Sequence, residues 1–486
     1  MTISSNKQMF WIGLFLLSLL SYFIIFLQLD SLALQCWDEP VYAINAFRFL
    51  QNPHPIMVYD YWGNPELFSP KPPFHIWCIA LSYKIFGVNE FALRFPVAIF
   101  ALSTFLCIYI FSGLFIKNNF LAFTSSLIFL SSIGFYQLHI TRTGDTDVTF
   151  VFFAVFSSIC FFILCINKTN NKLANYLFWL GMTLGVYTKG PGILVLVPCF
   201  MTWFLLHKNN NRIIKDIHFY LGMTAFLAIT ISYYLIREQL NPGFLQAVYK
   251  QELSGRLISN SLLQSDTHPW YYYIERMYKQ EYFMPWVLCM PLCMVIHVFS
   301  KQSIEKSLAT YCLIILFVLC FFIFRTDVKK DWYDAILYPF LSLYIASVFA
   351  AFIKNKKQLY TKVIITAIIL LSVKPCISII NKNYSSVETN HLKKFIENLR
   401  SEKKYTKTLR MFNLDYNYSL YYYFMLDKEK GYNNKEITSI EYIQQGDTIA
   451  VMKEAREIDL SKKFDLVEIY RHKDCAIFLV KNLKNN

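Results

Sequence analysis

The chain has 486 residues, of which 55% are apolar and 18% aromatic, while only 16% are charged. Soluble globular chains carry roughly 25% charged residues. This composition excludes a disordered chain, a collagen-like repeat and a disulfide-dense secreted scaffold, and it argues against a single soluble enzyme. The class that remains is a polytopic membrane protein. The net charge of +14 is not arranged as a basic stripe interleaved with aromatics, so it does not indicate nucleic-acid binding.

Apolar segments recur along the chain at the length needed to cross a bilayer, about 20 residues. The eleven candidates cover residues 9–29, 91–115, 120–138, 148–166, 174–188, 192–206, 218–236, 283–299, 308–324, 335–353 and 361–380. No small-residue cleavage site follows the first candidate, so we interpret it as a retained helix and not as a signal peptide. Segments 41–50 and 76–86 are expected to lie along the interface; if they cross instead, the count rises to thirteen.

Lys and Arg set the expected orientation. With the N-terminus in the cytoplasm, basic residues are about three times denser in the inner segments than in the outer ones, as the positive-inside rule requires. The long outer loops are then 30–90 and 237–281, and an odd number of spans places the C-terminus outside as well.

The C-terminal part, residues 381–486, differs from the membrane domain, residues 1–380, in being rich in charge. HLKKFIENLR (391–400) is typical of an amphipathic helix. Four segments are predicted to be strands, the last two joined by a hairpin at RHKD: 408–414, 447–452, 464–470 and 475–481. We therefore predict a small soluble α+β domain on the outer face, either a passive cap or a contributor to acceptor binding. Cys475 is its only cysteine, so it cannot contain an internal disulfide.

Two carboxylates open the first outer loop, in the sequence Cys36-Trp37-Asp38-Glu39-Pro40. A carboxylate at the water interface is partly desolvated and therefore more basic, which suits a general base. Asp38 could instead cap a helix that starts at Pro40. Further along the loop, prolines flank Lys71 on both sides and hold the backbone extended. Lys71 is either a phosphate anchor or an interfacial lysine with a snorkelling side chain.

The remaining outer connections also carry charge at membrane depth. Arg142, Asp145 and Asp147 cluster in the second, where charges are costly without partners; they mark a functional site or an internal salt bridge. Lys189 lies in the third. The fourth and fifth contribute the further candidates His268, Trp270, Lys329, Lys330 and Tyr333. Their aromatic residues suit an interfacial belt or stacking on sugar rings equally well.

The order of these motifs resembles one family. Asp-Glu, Lys-Pro-Pro, Arg-Thr-Gly-Asp-Thr-Asp, Thr-Lys-Gly-Pro, His-Pro-Trp-Tyr-Tyr and Lys-Lys-Asp-Trp-Tyr follow one another as in the polyprenol-phosphate-sugar-dependent glycosyltransferases of GT-C fold. This family includes protein O-mannosyltransferases and the bacterial transferase that adds aminoarabinose to lipid A. The resemblance covers residues 9 to about 350 and implies a GT-C fold in a bacterial inner membrane with a periplasmic active site.

The resemblance also implies a mechanism. The donor would be a sugar on a polyprenyl phosphate, and the acceptor a periplasmic hydroxyl or phosphate on lipid A, a surface glycan or a protein. Asp38 would be the base of an inverting reaction, and Asp145 or Asp147 would hold the acceptor or the sugar. Contacts to the donor phosphate and lipid are implied for Lys71, Arg142, Lys189, Lys329, Lys330 and Tyr333. Candidates for further substrate contacts are Glu39, His268 and Trp270.

One departure concerns metal binding. In the aminoarabinose branch a glutamate precedes Lys-Pro-Pro and contributes to a metal site with a later histidine, whereas this chain has Pro70 there. Proline offers no side-chain ligand, so we predict that no metal or other cofactor is required. A Zn²⁺ site would need Glu66 or Asp266 as a substitute, with His268.

Two other classes stay open. A transporter or flippase of polyprenyl-linked lipid would use the same outer charges without chemistry, although the inner loops are short and lack paired acids. An oligosaccharide ligase or polymerase also uses polyprenyl-linked glycans, but its largest outer loop usually lies late in the chain, while the 60-residue loop here is early.

Overall fold

The helices of the chain form a bundle with a small sheet at the C-terminus. In this computed structural model the described residues are 3–32, 34, 38–67, 69–137, 139–167, 169, 171–207, 211–254, 268–278, 285–326, 329–354, 356–385, 410–412, 418–429, 435–437, 439–451, 460–472 and 475–484. The helices up to the third outer turn are α1 Ile3–Ile25, α2 Asp38–Gln51, α3 Phe74–Phe86, α4 Glu90–Ile110, α5 Asn119–Leu130, α6 Asp147–Ile166 and α7 Lys172–Lys189. Those that follow are α8 Val197–Leu206, α9 Asn211–Ile214, α10 Ile217–Leu240, α11 Phe244–Val248, α12 Tyr272–Tyr278, α13 Pro285–Leu288, α14 Met290–Phe299, α15 Ile304–Arg325, α16 Leu337–Ile353, α17 Gln358–Ser385 and α18 Tyr418–Glu429.

Short polar residues fix where several of these helices begin. A side-chain oxygen at the N-cap accepts a hydrogen bond from a backbone N–H that has no partner inside the helix. Asn89, Asn118 and Asn171 do this for α4, α5 and α7. Asp216 and Ser303 do the same for α10 and α15. The apolar runs therefore start as helices at defined positions.

The polytopic α-helical fold is confirmed. In the described part of the chain, eight helical segments are long and apolar enough to cross a membrane, and three apolar helices are shorter. Each of the eleven predicted spans overlaps a helix. Because only eight of the described helical segments are long enough to cross a membrane, the number of spans, eleven or thirteen, stays a prediction. The segments Asp147–Ile166 and Tyr333–Ile353 are each 78% buried, against 17% for Ile217–Leu240. The first two thus form the centre of the bundle.

Predicted span 120–138 was too long, because helix α5 ends at Leu130. The chain then turns through two serines and Gly134. A Cβ at Gly134 would lie 1.8 Å from the hydroxyl oxygen of Tyr338, so only glycine admits this close approach to α16. The turn brings residues 139–146 back over the ends of the helices, where the charged motif of the second connection lies.

Residues 172–206 form a helical hairpin, as the two short predicted spans require. Lys189 at the end of α7 contacts Asp147 at the start of α6, whereas Arg212 donates to the Leu164 carbonyl at the far end of α6. The chain between them therefore returns across the whole bundle. Gly190, at φ +64° and ψ −148°, makes the reversal, and a 3₁₀ segment, Gly190–Leu196, leads into α8.

The connections sort onto two faces. On one, Glu305 accepts from Asn118 and pairs with Lys354 at 2.9 Å, and Asn119 donates to the Asn6 carbonyl. These residues come from the connections predicted to face the cytoplasm. The opposite face, which we call the site face, gathers the predicted outer connections. The membrane orientation of the two faces stays a prediction.

The C-terminal part contains a five-stranded sheet with the order β2-β1-β3-β5-β4. Its strands are β1 Arg410–Phe412, β2 Lys435–Ile437, β3 Thr448–Val451, β4 Phe464–His472 and β5 Cys475–Leu483. The four predicted strands are confirmed, including the β4–β5 hairpin, in which His472 pairs with Cys475. Strand β2 and helix α18 were not predicted. The predicted helix 391–400 lies outside the described residues. The last membrane helix, α17, continues past the predicted domain boundary at residue 380 to Ser385, and the boundary itself stays a prediction.

Helix α18 joins this part to the site face. The ring of Tyr421 stacks on Tyr61 of the first loop with 4.5 Å between centroids, and Tyr423 donates to the carboxylate of Glu90 at 3.0 Å. Tyr421, Tyr422 and Tyr423 are all buried. The C-terminal part therefore packs on the first loop, on the same face as the charged motifs.

Candidate active site

Asp38 and Lys71 meet on the site face. Asp38 begins helix α2, and Lys71 lies in the extended proline segment that precedes α3. The Lys71 ammonium is 3.5 Å from the Asp38 carboxylate and also donates to the hydroxyl of Tyr42, one turn further along α2. The side chain of Asp38 is 40% exposed and that of Lys71 only 11%. A carboxylate open to a substrate is thus held beside a nearly buried cation.

The expectation that Asp38 is unusually basic was wrong. The Lys71 ammonium lowers the pKa of Asp38, although burial opposes this, and Lys189 lowers it further. An opposite charge within a few ångströms favours the ionised form of a carboxyl. Burial by itself would lower the pKa of Lys71, but Asp38 and Tyr42 outweigh it and raise that pKa. The pair is therefore carboxylate and ammonium, and Asp38 is in the form that accepts a proton.

Glu39 points away from its neighbour and is sealed in the protein. It is 1% exposed, and its two oxygens accept hydrogen bonds from Arg94 of α4 at 2.7 and 3.0 Å. One of these oxygens also accepts from the backbone N–H of Gly144. Glu39 thereby ties α2 to α4 and to the second connection. A substrate contact for Glu39 stays a prediction, and its burial disfavours it.

Arg142 holds the end of the first helix. Its guanidinium, in a residue that is 4% exposed, donates to the carbonyls of Ile25 and Gln28 at 3.2 and 2.7 Å. Carbonyls at a helix C-terminus lack partners within the helix, and a cation satisfies them. The predicted salt bridge from Arg142 to an aspartate is not among the ion pairs of the described residues.

Asp145 lies deeper than Asp38. It is 3% exposed; one carboxyl oxygen accepts a hydrogen bond from the hydroxyl of Thr143, and the imidazole of His139 is 3.9 Å away. Burial and the negative charges of Asp38, Glu39 and Asp147 raise the pKa of Asp145 well above its usual value. The pKa values of Asp38 and Asp145 are therefore shifted in opposite directions, as in sites that need both an acid and a base.

Asp147 and Lys189 form a second pair, at the start of α6 and the end of α7. The Lys189 ammonium donates to the Asp147 carboxylate and lies 5.9 Å from the ring centre of Tyr333. All three residues line one end of an apolar cleft of about 180 Å³. Its other walls include Phe150, Val195, Leu319, Phe322 and Ile323. The cleft thus combines a cation at its end with hydrocarbon walls.

The fourth and fifth loops hold each other. His268 stacks on Tyr272 at 4.1 Å, Tyr272 donates to Asp331, and Arg276 pairs with Asp334 at 3.2 Å. Trp270 is 64% exposed. Lys329 donates to the carbonyl of Thr326, and the Lys330 ammonium lies 6.0 Å from the ring centre of Trp332. His268 and Lys330 are therefore positioned by aromatic neighbours in their own loops, and Trp270 is exposed.

The residues described do not fit the metal site of the aminoarabinose branch. Pro70 supplies no ligand, and the Glu66 carboxylate is taken up by Asn45 at 3.2 Å and by the backbone N–H of Ser69 at 3.1 Å. Within the described ranges there is no group of three His, Cys, Asp or Glu side chains suited to a metal ion. Asp266 lies outside these ranges. Independence from a metal stays a prediction.

Several residues of the site were missed from the sequence. Arg94 lies inside the predicted span 91–115, and the long-range bonds to Glu39 could not be inferred from spacing. His75 is fully buried and bridges Thr149 and the Gly144 carbonyl; burial lowers its pKa to about 4. His139 stacks on Trp332 with 4.6 Å between centroids. A signal existed for His75, which lies two residues after Lys-Pro-Pro, but none for its partners.

Comparison with known proteins supports the resemblance seen in the motifs. Residues 70–235 match the family model described as dolichyl-phosphate-mannose-protein mannosyltransferase. The chain is 32% identical over 187 residues to the undecaprenyl phosphate-alpha-4-amino-4-deoxy-L-arabinose arabinosyl transferase of Wigglesworthia glossinidia brevipalpis, covering 36% of this chain and 31% of that protein. The chain spans less than half the length of the first curated relatives it matches.

The fold matches solved structures over nearly its whole length. The crystal structure of ArnT from Cupriavidus metallidurans bound to undecaprenyl phosphate has a TM-score of 0.70 at 15% identity, covering 96% of this chain and 97% of that one. The archaeal oligosaccharyltransferase AglB from Archaeoglobus fulgidus, in complex with an inhibitory peptide and a dolichol-phosphate, has a TM-score of 0.56 at 13% identity, covering 86% of this chain and 63% of that one. The protein is thus a multi-pass membrane protein of GT-C fold. Part of its sequence is similar to that of polyprenyl-phosphate-sugar glycosyltransferases.

Proposed function

We propose that the protein is a glycosyltransferase that moves a sugar from a polyprenyl-phosphate donor to an acceptor hydroxyl or phosphate. The observation that carries this proposal is the ionised Asp38 beside Lys71, on the face where an apolar cleft ends at Lys189. A lipid phosphate needs a cation for its head and hydrocarbon walls for its tail. The names of the related proteins, which include undecaprenyl phosphate and dolichyl phosphate, support the same donor class.

Asp38 acts as the base in this proposal. Its carboxylate removes the proton from the acceptor, whose oxygen attacks the anomeric carbon of the donor. The bond between that carbon and the phosphate oxygen breaks, the configuration inverts, and the bonding electrons leave with the polyprenyl phosphate. Lys71 and Lys189 stabilise the negative charge that develops on the phosphate in the transition state. Electrostatic stabilisation of this kind is the largest single contribution to catalysis in many enzymes. No step requires a metal ion.

The acceptor is a periplasmic lipid, glycan or protein, and the residues that would select it lie at the rim. Trp270 and the first-loop Trp62, which are 64% and 56% exposed, offer faces on which sugar rings stack. Exposed tryptophans also anchor proteins at a membrane interface. The sugar and the acceptor are therefore to be identified by experiment.

The test uses purified full-length protein in detergent. Co-purified lipids are identified by mass spectrometry, and their consumption is followed after periplasmic extract is added. We expect a polyprenyl-phosphate sugar that the wild type consumes and that Asp38→Asn binds but turns over about 100- to 1,000-fold more slowly, because the amide cannot accept the proton. Asp465→Asn, an exposed carboxylate of the sheet, is the matched control and should behave as the wild type.

Three results would contradict parts of the proposal. Near-normal turnover by Asp38→Asn removes the base assignment. A bound polyprenyl lipid that neither the wild type nor Asp38→Asn consumes favours a transporter instead. A loss of turnover on treatment with EDTA, restored by Zn²⁺, would contradict the absence of a required metal.

A further inference from the structure

The acidic residues of the site face differ in how their charge is balanced. Asp38 pairs with Lys71, Asp147 with Lys189, and Glu39 with Arg94. Asp145 lies among them, and within the described parts of the chain no lysine or arginine pairs with it. Its only basic neighbour there is His139, whose Nδ1 is 3.9 Å from the carboxyl. Ionised Asp145 would therefore add a negative charge that its surroundings do not balance.

The carboxyl of Asp145 also has an unused oxygen. Its side chain is 4% exposed, Oδ2 accepts from the Thr143 hydroxyl, and Oδ1 has no hydrogen-bond partner among the described residues. Buried polar atoms in native proteins nearly always have partners, and each exception needs a reason. The backbone beside this oxygen is held from two sides, since Gly144 donates to Glu39 and accepts from His75. The orientation of Asp145 is thus fixed before a ligand binds.

The hydrogen bond from Thr143 favours the ionised form of Asp145, whereas burial and three neighbouring carboxylates favour the neutral form. These carboxylates are Asp38 and Glu39 from α2 and Asp147 from the start of α6; together with burial they raise the pKa of Asp145. The Tyr42 hydroxyl of α2 also interacts with Asp145. A phosphate bound between Lys71 and Lys189 would bring further negative charge to the same place. An ionised carboxylate would repel that phosphate, whereas a carboxylic acid offers it an O–H donor.

We propose that Asp145 binds substrate as a neutral carboxylic acid, donating a hydrogen bond from Oδ1 to a phosphate oxygen of the polyprenyl-phosphate donor. This inference rests on the proposed donor class and assigns to Asp145 a role different from that of Asp38. One aspartate accepts a proton, and the other keeps its own. A hydrogen bond from an acid to an anionic oxygen is among the strongest that a side chain makes.

The test measures binding and not transfer. Undecaprenyl phosphate, which lacks the sugar, is titrated into full-length protein in detergent for the wild type, Asp145→Ala, Asp145→Asn and the control Asp465→Asn. We expect Asp145→Ala to bind about 10- to 100-fold more weakly, the loss typical of a hydrogen bond to a charged group. Asp145→Asn should stay within about threefold of the wild type, because its amide oxygen can accept from Thr143 while its NH₂ replaces the acid O–H.

A pH series separates this role from a structural one. As pH rises, Asp145 ionises, loses its donor and repels the phosphate, so the affinity of the wild type should fall relative to that of Asp145→Asn. The titration of the lipid phosphate affects both proteins alike, so it cancels in the ratio of the wild-type affinity to the Asp145→Asn affinity. Asp38→Asn removes one of the neighbouring negative charges, so the fall should begin at lower pH in that variant.

Three outcomes would overturn the inference. The first is that Asp145→Ala binds undecaprenyl phosphate as tightly as the wild type, and the second is that Asp145→Asn loses as much affinity as Asp145→Ala. The third is that the ratio of the wild-type affinity to the Asp145→Asn affinity rises with pH. If Asp145→Ala does not fold, Asp145→Asn decides alone, since a loss of tenfold or more shows that the carboxylate is needed. Failure of the wild type to bind undecaprenyl phosphate would overturn the donor class as well, whereas near-normal transfer by Asp38→Asn would leave this inference standing.

Discussion

Asp38 and Lys71 are 33 residues apart in sequence and share one ion pair in the fold. Lys71 is also held by Tyr42, so its ammonium has a fixed place beside the carboxylate. In the proposed reaction a donor phosphate would take up part of the Lys71 charge. Asp38 would then lose the interaction that lowers its pKa and become a stronger base when the donor is bound.

The pH dependence of transfer follows from this pair. Because Lys71 lowers the pKa of Asp38, the carboxylate persists, and with it activity, as pH falls below the usual carboxyl range. Lys71→Met removes that charge, so the pKa of Asp38 should rise and the acid limb of the pH–rate profile should move to higher pH. The maximal rate should also fall about 100- to 1,000-fold. The profile is measured as kcat/KM for the donor, which reports the pKa of Asp38 before the donor binds.

Lys330→Met is the control for this experiment. The Lys330 ammonium lies 6.0 Å from the ring centre of Trp332, whereas the cations that lower the pKa of Asp38 most are Lys71 and Lys189. Removal of Lys330 should leave the acid limb in place even where it weakens donor binding. An unchanged acid limb in Lys71→Met would show that Asp38 is not the group that titrates.

At the scale of single elements, the turn after α7 decides where Lys189 lies. Gly190 has φ +64° and ψ −148°, a conformation almost restricted to glycine. It ends α7 directly after Lys189 and sends the chain back through the bundle. The ammonium can then reach Asp147 at the start of the neighbouring helix.

We expect Gly190→Ala to destabilise the protein by about 1–3 kcal/mol, the cost of forcing a side chain into this backbone region. The new Cβ would also lie 3.3 Å from the hydroxyl oxygen of Tyr234. Thermal unfolding in detergent should show a lower Tm, and transfer should fall because Lys189 is displaced.

Gly192→Ala is matched to it in position and chemistry. Its Cβ would meet only Phe150, at the ordinary contact distance of 3.7 Å. This variant should keep the Tm of the wild type. Equal losses in both variants would mean that the turn tolerates no added methyl group, independent of backbone conformation.

At the scale of the whole molecule, the bundle collects four connections from distant parts of the sequence. The first, second, third and fifth supply Asp38, Asp145, Lys189 and Tyr333, and α18 packs over the first loop. The two central segments, Asp147–Ile166 and Tyr333–Ile353, begin at the site. The best-packed part of the protein therefore holds the charged residues that would need to be fixed in place.

The orientation of this face is testable with cysteine labelling. In a cysteine-free background, Trp62→Cys lies on the site face and Lys301→Cys on the opposite face, and both native side chains are exposed. A membrane-impermeant maleimide should label Trp62→Cys in spheroplasts, but Lys301→Cys only after the membrane is permeabilised. The reverse pattern would place the site face in the cytoplasm and contradict the orientation inferred from the basic residues.

The sequence by itself determined the class of protein and the approximate positions of its apolar helices and of four strands. The length of an apolar segment, the basic residues of a loop and the alternation of a strand are local properties. They can be recognised in the sequence without knowing how the helices pack. For this reason the eleven segments overlap helices, although helix α5 ends well before residue 138, and the four predicted strands lie in one sheet. The order of the motifs indicated the GT-C fold, which the solved structures confirm.

Only the tertiary structure decided how the charges are shared. Adjacent in sequence, Asp38 and Glu39 separate in function because successive helical positions point about 100° apart. One faces Lys71, and the other is buried against Arg94. The lowered pKa of Asp38 comes chiefly from Lys71, 33 residues away. The raised pKa of Asp145 comes from burial and from Asp38 and Glu39, which are distant in sequence, and no local pattern encodes either environment.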